Sequence, residues 1–189
     1  MICRGEYNLN DNVIIFHNSN IYKAVIKERN VGWNDGSYSV FCDNLRSHDG
    51  RPVGSKNCIL YKHQIISYDD AIKEDIDIIN LRIYFETLAF FYNSSHGMFI
   101  DSDNITNKVI ERLYLVFRLD KQINLLSDNE SINFKNYMDY KIGETILLLN
   151  DTLVYQISKC CPRTTVLSFE GMTQVLKKIM KKKYNFEVD

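Results

Sequence analysis

The chain has 189 residues and a formal net charge of −1 at pH 7, so no global field attracts it to nucleic acid or to an anionic membrane. Any such contact must use a local patch. The length suits one ordinary domain or two small ones with real cores, and no apolar stretch reaches membrane-spanning length. The five cysteines are odd in number and scattered, and the N-terminal segment lacks the apolar run of a signal peptide, which favours a reducing compartment.

Short β-strands separated by turns are predicted for residues 1–68. "NVIIFH" and "IYKAVIKER" are rich in β-branched and aromatic residues and flank the polar turn 17–20, so they predict a strand pair. "VGWNDGSYSVFCDN" predicts a second hairpin around the turn residues 34–36, and "NCILYKHQII" predicts a further strand. Four or five short strands without a long helix favour a small β-barrel, because closure removes exposed sheet edges.

Amphipathic helices are predicted for residues 69–189, so the fold class is α+β, with a helical bundle after the barrel. Four apolar stripes have helical spacing. They consist of Ile72, Ile76, Ile79 and Ile83; of Ile105, Val109, Ile110, Leu113, Val116 and Phe117; of Ile142, Ile146, Leu149, Leu153 and Ile157; and of Met172, Val175, Leu176, Ile179 and Met180. Asp69 and Asp70 are candidate caps for the first stripe, and Pro162 separates the last two.

No sequence motif for catalysis or metal binding is present. The chain lacks CxxC and HExxH spacings, a glycine-rich phosphate loop and a G-x-S-x-G elbow. The adjacent Cys160 and Cys161 cannot readily both point into one tetrahedral zinc site. We therefore predict a protein without catalytic residues, metal or cofactor. An acid–base pair of His17 and His48 facing each other across a pocket is the enzymatic alternative.

The densest cluster of like charges lies at the C-terminal end of the last predicted helix. It is the basic patch of Lys177, Lys178, Lys181, Lys182 and Lys183. Positive charge at a helix C-terminus complements the helix dipole, which is a structural reason for part of the cluster. The same lysines can contact phosphates or an acidic partner.

Two parts of the chain resemble the MRG family. "VIIFHNSNIYKAVIKE" looks like the opening hairpin of its chromo-barrel domain, "YSVFCDN" resembles the third strand, and "SHDGRPV" stands in place of a Trp-Asp-Glu-Trp turn whose tryptophans are missing here. "NKVIERLYLVFRLDKQINLL", "DYKIGETILLLNDTLVYQIS" and "VLSFEGMTQVLKKIMKKK" are similar to helices of the MRG domain. The resemblance covers most of the chain, in the family's order.

The resemblance implies a scaffold rather than an enzyme. Members of the family are subunits of histone acetyltransferase and deacetylase complexes, so it implies a nuclear protein whose partners are subunits of such a complex. Their barrels hold a methylated lysine of a histone tail in an aromatic cage, which attracts the cation to ring faces. Carried over by position, the cage consists of His17, Tyr22, Phe41 and His48.

The helical half is expected to dock short peptide motifs from partner subunits. Its candidate anchors, chosen by residue type and helix position, are Tyr114, Phe117, Leu149 and Tyr155. A second hypothesis keeps the same architecture in an RNA- or ribosome-associated factor, which uses the basic patch and the aromatic residues of the barrel to bind RNA. The two differ in salt dependence, because phosphate contacts weaken steeply as salt is added.

Overall fold

The computed structural model describes residues 6–18, 20–31, 36–47, 49–73, 76–94, 101–118 and 125–187. The chain is an α+β protein that divides into two compact units, residues 1–85 and 86–189, called here the sheet unit and the helical unit. The last strand ends at Ser67 and the first helix begins at Tyr68. The predicted class and the predicted order of strands followed by helices are confirmed.

Five antiparallel strands form one sheet in the order β4-β3-β2-β1-β5. They are β1 Asn12–His17, β2 Asn20–Arg29, β3 Ser37–Arg46, β4 Pro52–Tyr61 and β5 Ile65–Ser67. A 3-10 turn, Lys62–Gln64, separates the last two. The segment "NCILYKHQII", predicted as one strand, is therefore the end of β4, a turn and the start of β5. The turn lets the chain leave β3 and pair with β1.

The sheet coils around a core on its inner face. Every strand contributes to one cluster of buried side chains: Tyr7, Val13, Ile15, Ala24, Ile26, Tyr38, Val40, Cys42, Leu45, Cys58, Leu60 and Ile65. Leu60 and Ile65 belong to opposite edge strands, so the two edges curl towards the same interior. Tyr7 lies in that interior, where its hydroxyl donates a 2.8 Å hydrogen bond to the Ile65 carbonyl.

The expected closure into a barrel without edges is not seen. Within the described residues β4 and β5 each pair on one side only, so the sheet is open. β5 has only three residues, and all of them pair with β1. It follows β4 after a three-residue turn, so the covalent chain spans the gap in place of a hydrogen-bonded ladder.

Six helices follow the sheet in the part of the chain that the structure describes. They are α1 Tyr68–Lys73, α2 Ile78–Asn93, α3 Ser102–Phe117, α4 Asp128–Leu148, α5 Asn150–Cys160 and α6 Arg163–Tyr184. The first predicted stripe does not lie on one helix, because α1 ends at Lys73, residues 76 and 77 are not helical, and α2 begins at Ile78. Asp77 stands at the start of α2, where its side chain accepts a 2.8 Å hydrogen bond from the Asn80 N–H. Ile72 is consequently 58% exposed, whereas Ile83 is fully buried.

The helical unit is organised around α6, which contacts α3, α4 and α5. The third predicted stripe is buried throughout, although α4 ends at Leu148 and α5 begins at Asn150. Phe169 of α6 is fully buried, and its ring meets the edge of the Phe91 ring at a centroid distance of 5.2 Å. Apolar packing against one long helix therefore holds the unit together.

Gly143 of α4 lies against the side chain of Met180 of α6. A Cβ atom at this position would lie 2.4 Å from the sulfur of Met180, whose side chain is 1% exposed. Gly143→Ala should therefore destabilise the protein by about 1–3 kcal/mol through overpacking. In a Met180→Ala background the obstacle is gone, and the same change should be neutral or stabilise by up to about 1 kcal/mol, because alanine favours helix.

Urea unfolding of the wild type, of the two single variants and of the double variant measures the free energy of unfolding of each. An equal cost of Gly143→Ala in both backgrounds would show that the two helices do not approach closely at this point.

Candidate functional site

A cleft of about 490 Å³ opens on the sheet unit. It lies between the β1–β2 turn, the end of β3 and the edge strand β4. Its lining consists of His17 and Asn18 from the turn, Leu45, Arg46 and Ser47 from β3 and the residue after it, and Val53, Lys56, Asn57, Cys58 and Ile59 from β4. Leu45 and Cys58 also belong to the core, so the cleft is the open end of the coiled sheet.

A bulge between β3 and β4 shapes the cleft. The pairing passes from Cys42 opposite Lys56 to Leu45 opposite Gly54, so two residues of β3 face one residue of β4 in between. Asn44 and Gly54 both adopt positive φ, at 60° and 87°. Asparagine and glycine tolerate this conformation best. Leu45 consequently points into the core, where regular alternation would have placed Asn44.

Three hydrogen bonds hold the end of β3 against the β1–β2 hairpin and the β3–β4 turn. The Asn18 side-chain amide donates to the Arg46 carbonyl at 3.3 Å, and the Arg46 N–H donates to the Tyr22 hydroxyl at 3.2 Å. The Arg46 guanidinium donates to the Gly50 carbonyl at 3.1 Å. These contacts keep a cationic side chain at the mouth of the cleft.

The cleft is electropositive. Arg46 and Lys56 line it, and none of its described lining residues is acidic. The carboxylates of the same hairpin are engaged elsewhere. Asp43 accepts a 2.8 Å hydrogen bond from the Ser55 hydroxyl, and Asp49 pairs with Arg51 at 2.9 Å. Two exposed cations without a carboxylate partner among the described residues favour an anionic ligand.

His17 and Cys58 line the cleft together but do not form an activated pair. Burial, followed by the charge of Lys56, lowers the pKa of the His17 imidazole. Burial raises the pKa of the Cys58 thiol, and the charge of Lys56 opposes this. Both shifts favour the neutral forms at pH 7, whereas a nucleophilic cysteine needs its thiolate. The electrostatics of these two groups suit binding better than nucleophilic catalysis.

The structure does not bring together Tyr22 and Phe41, two of the four predicted cage residues. His17 lines the cleft, and Tyr22 packs against the core on the inner face of the sheet. Phe41 immediately precedes Cys42, whose side chain lies in the core. Because successive side chains of a strand point to opposite faces, Phe41 lies on the outer face. His48 lies outside the described residues. Tyr22 and Phe41 therefore cannot stack on the same cation.

Arg46 and Lys56 were not singled out from the sequence. Each is one of many charged residues in a polar surface pattern, and only the bulge places both beside His17. The local signal was the pair of bulge residues, Asn44 and Gly54, because both types favour positive φ. That signal predicts a distorted hairpin but does not predict which side chains converge on it.

The four candidate anchors of the helical unit have different environments. Leu149 is 8% exposed at the junction of α4 and α5 and belongs to the packed interior. Tyr114 donates a hydrogen bond to Asp139, and burial together with this carboxylate raises the pKa of its hydroxyl. Phe117 and Tyr155 are half-buried, and the Lys159 ammonium lies 5.2 Å from the Tyr155 ring centroid. These four side chains contribute to packing within the unit.

The basic patch divides into paired and unpaired lysines. Lys181 bonds to Glu187 at 2.9 Å, and Lys183 lies 3.4 Å from Asp139. Lys178 and Lys182 are exposed and Lys177 is half-buried. Within the described part of the chain these three have no carboxylate partner, so their charge is available to a ligand.

A second, acidic cleft of about 180 Å³ lies between Glu6, Asp11, Asp69 and Asp70. Two of these carboxylates have structural partners, since Glu6 pairs with Arg29 and Asp11 accepts a 2.7 Å hydrogen bond from the Asn8 N–H. Among the described residues no group of three or more His, Cys, Asp or Glu side chains is placed to hold a metal ion. No described helix is both long and apolar enough to cross a membrane.

The proximity of Lys56 to His17 can be tested directly. Lys56→Met removes the second of the two causes that lower the His17 pKa, so the pKa should rise towards its ordinary value of 6.5. A titration of the His17 ring signals by NMR measures it. Lys27→Met is the control, since Lys27 lies roughly 23 Å along β2 from the residue paired with His17. An unchanged pKa in Lys56→Met would show that the ammonium does not reach the imidazole.

Comparison of the chain with protein-family models, with curated proteins and with solved structures finds no match in any of the three. The resemblance to the MRG family consequently depends on the segments quoted above alone. A functional assignment has to be argued from the two units, from the electropositive cleft and from the exposed side chains of the helices.

Proposed function

We propose that the protein is a non-catalytic binding subunit, a divergent relative of the MRG family that acts in the nucleus within a histone acetyltransferase or deacetylase complex. The observation that best supports this proposal is the order of the two units along the chain. A small antiparallel sheet with its own core is followed by a separate helical unit, in the order of the two resembling parts of the sequence. The raised pKa of the Cys58 thiol supports the absence of a cysteine nucleophile in the cleft.

We infer further that the sheet unit is a chromo-barrel-like or SH3-like barrel that is open on one side. One cluster of buried side chains to which all five strands contribute supports this. So does the pairing of β5 with β1 after the 3-10 turn. A sheet of five short strands can cover its inner face by coiling, which needs no helix packed on that face.

Reading of methylated lysine is not part of the proposal. A methyl-lysine cage needs several aromatic faces around a cation. Among the described lining residues of the cleft His17 is the only ring, and Arg46 and Lys56 would repel a positively charged ligand. We propose that the histone-tail reader function has been lost in this chain.

Partner docking is assigned to the helical unit, because its helices expose large apolar side chains. They are Leu115 of α3, Ile132, Tyr137 and Leu148 of α4, and Leu167 of α6, with exposed fractions of 46–69%. Exposed aromatic and aliphatic residues are the usual anchors of a protein interface. Leu115 follows Tyr114 in the sequence, and Tyr137 precedes by two residues the Asp139 that Tyr114 binds.

The proposal predicts which proteins accompany the chain in cells. Affinity purification after gentle crosslinking, followed by mass spectrometry, should recover subunits of a histone acetyltransferase or deacetylase complex. Leu115→Glu combined with Tyr137→Glu should reduce this recovery at least tenfold, because charge in an apolar interface is left desolvated. Ile72→Glu, at a 58% exposed position in the sheet unit, is the matched control and should have no effect.

Recovery of ribosomal proteins or RNA without chromatin factors would refute the assignment. Equal recovery with the double variant and with the control would remove the helical unit as the docking site.

A second candidate function is RNA binding, and the three unpaired lysines of α6 favour it. If α6 contacts phosphates, replacing Lys177, Lys178 and Lys182 with alanine should lower the affinity for single-stranded RNA and reduce its dependence on salt. Replacing the paired Lys181 and Lys183 should change both much less. Filter binding at several salt concentrations measures this, and equal effects of the two variants would argue against a phosphate contact at this surface.

A further inference from the structure

β4 is a long edge strand, and half of it lacks protection against further pairing. Among the described strands none pairs with its outer side. Proteins block such edges with proline, with bulges and with lysine. Pro52, the positive φ of Gly54 and Lys56 provide these devices in the first half of β4. The segment Asn57–Tyr61 contains none of them.

The unprotected half of β4 is also apolar on its exposed face. Ile59 is 60% exposed and Tyr61 is 45% exposed, whereas the intervening Leu60 is buried. A strand that pairs with this edge would place alternate side chains beside Ile59 and Tyr61. The free N–H and C=O groups of an edge strand supply main-chain hydrogen bonds to an extended peptide.

The cleft adds a charge requirement to this edge. Four successive residues of β4 line the cleft: Lys56, Asn57, Cys58 and Ile59. Because successive side chains of a strand point to opposite faces, the cleft contacts β4 on both of its faces. Lys56 immediately precedes the segment Asn57–Tyr61 of β4, and Arg46 of β3 lines the same cleft. They disfavour a basic peptide and favour an acidic one, so the same charges reject some partners and attract others.

An oligonucleotide fits the cleft less well than a peptide does. Nucleic acid bound as a single strand gains much of its affinity from bases stacked on aromatic rings. The described lining of the cleft has no phenylalanine, tyrosine or tryptophan, and its floor is formed by aliphatic and thiol groups such as Leu45 and Cys58.

We propose that Asn57–Tyr61 of β4 accepts an extended acidic segment of a partner protein as an additional antiparallel or parallel strand, with carboxylates of the segment bound by Lys56 and Arg46. The segment alternates apolar and acidic residues, the apolar ones lying beside Ile59 and Tyr61. This docking site belongs to the sheet unit, so it is independent of partner docking by the helical unit.

The probe for this proposal is a synthetic octapeptide of alternating glutamate and valine, added at millimolar concentration to the isotope-labelled full chain. The amide signals of residues 57–61 should shift. Hydrogen exchange should slow at the amides of this segment that point away from β3, because they become hydrogen-bonded; Tyr61 is excepted, since its N–H already donates to the Gln64 side chain at 3.1 Å. Lys56→Glu should weaken binding of this peptide about tenfold and should favour a peptide of alternating lysine and valine. Lys27→Glu, an exposed change on β2, is the matched control and should leave both affinities unchanged.

Three results would overturn the proposal. Absence of any shift at millimolar peptide excludes the site. Shifts confined to the side chains of Lys56 and Arg46, without slower exchange in residues 57–61, indicate charge attraction without strand pairing. Binding of inorganic phosphate or oligouridine in the cleft, with no binding of the acidic peptide, assigns the cleft to phosphate ligands instead.

Discussion

The sheet unit depends on the irregular pairing of β3 with β4. Without the extra residue of β3 in this ladder, Asn44 would point into the core and Leu45 into solvent. The positive φ angles of Asn44, in the bulge, and of Gly54, opposite Leu45, resolve this conflict locally. Bulged strands bend and twist more strongly than regular ones. The local bend thereby helps a five-stranded sheet to coil around a core of its own, and it also creates the cleft.

The path of the chain between β4 and β5 leaves the sheet open. A fully closed barrel would pair its last strand with its first and leave no strand edge. Here the 3-10 turn Lys62–Gln64 directs β5 to β1, and the outer side of β4 is left without a partner among the described strands. The open end exposes the boundary between an apolar core and two cations. Binding at such a boundary combines main-chain pairing with selection by charge.

The helical unit is built on a different principle. Its stability comes from apolar stripes packed on α6, and Gly143 allows α4 to approach the buried Met180. Most apolar side chains of the predicted helical stripes are buried in this packing. Leu149, for example, is only 8% exposed. Leucines on the outer faces, such as Leu115 and Leu148, contribute little to the core, which makes them the better candidates for contacts with another protein.

Periodicity in the sequence determined the strand-rich first third, the later helices and most of the buried residues, because alternation and helical spacing are local properties. It did not determine the break between α1 and α2, where a local Asp77 cap outweighed a continuous isoleucine spacing. The candidate site was the least predictable part. His17 could be singled out as a histidine beside a turn, but Arg46 and Lys56 approach it only through a bulge. Phe41 is separated from Tyr22 because alternation, once the register is known, places them on opposite faces. Register and bulges arise from pairing between distant segments, so only the tertiary structure decided which charged side chains meet.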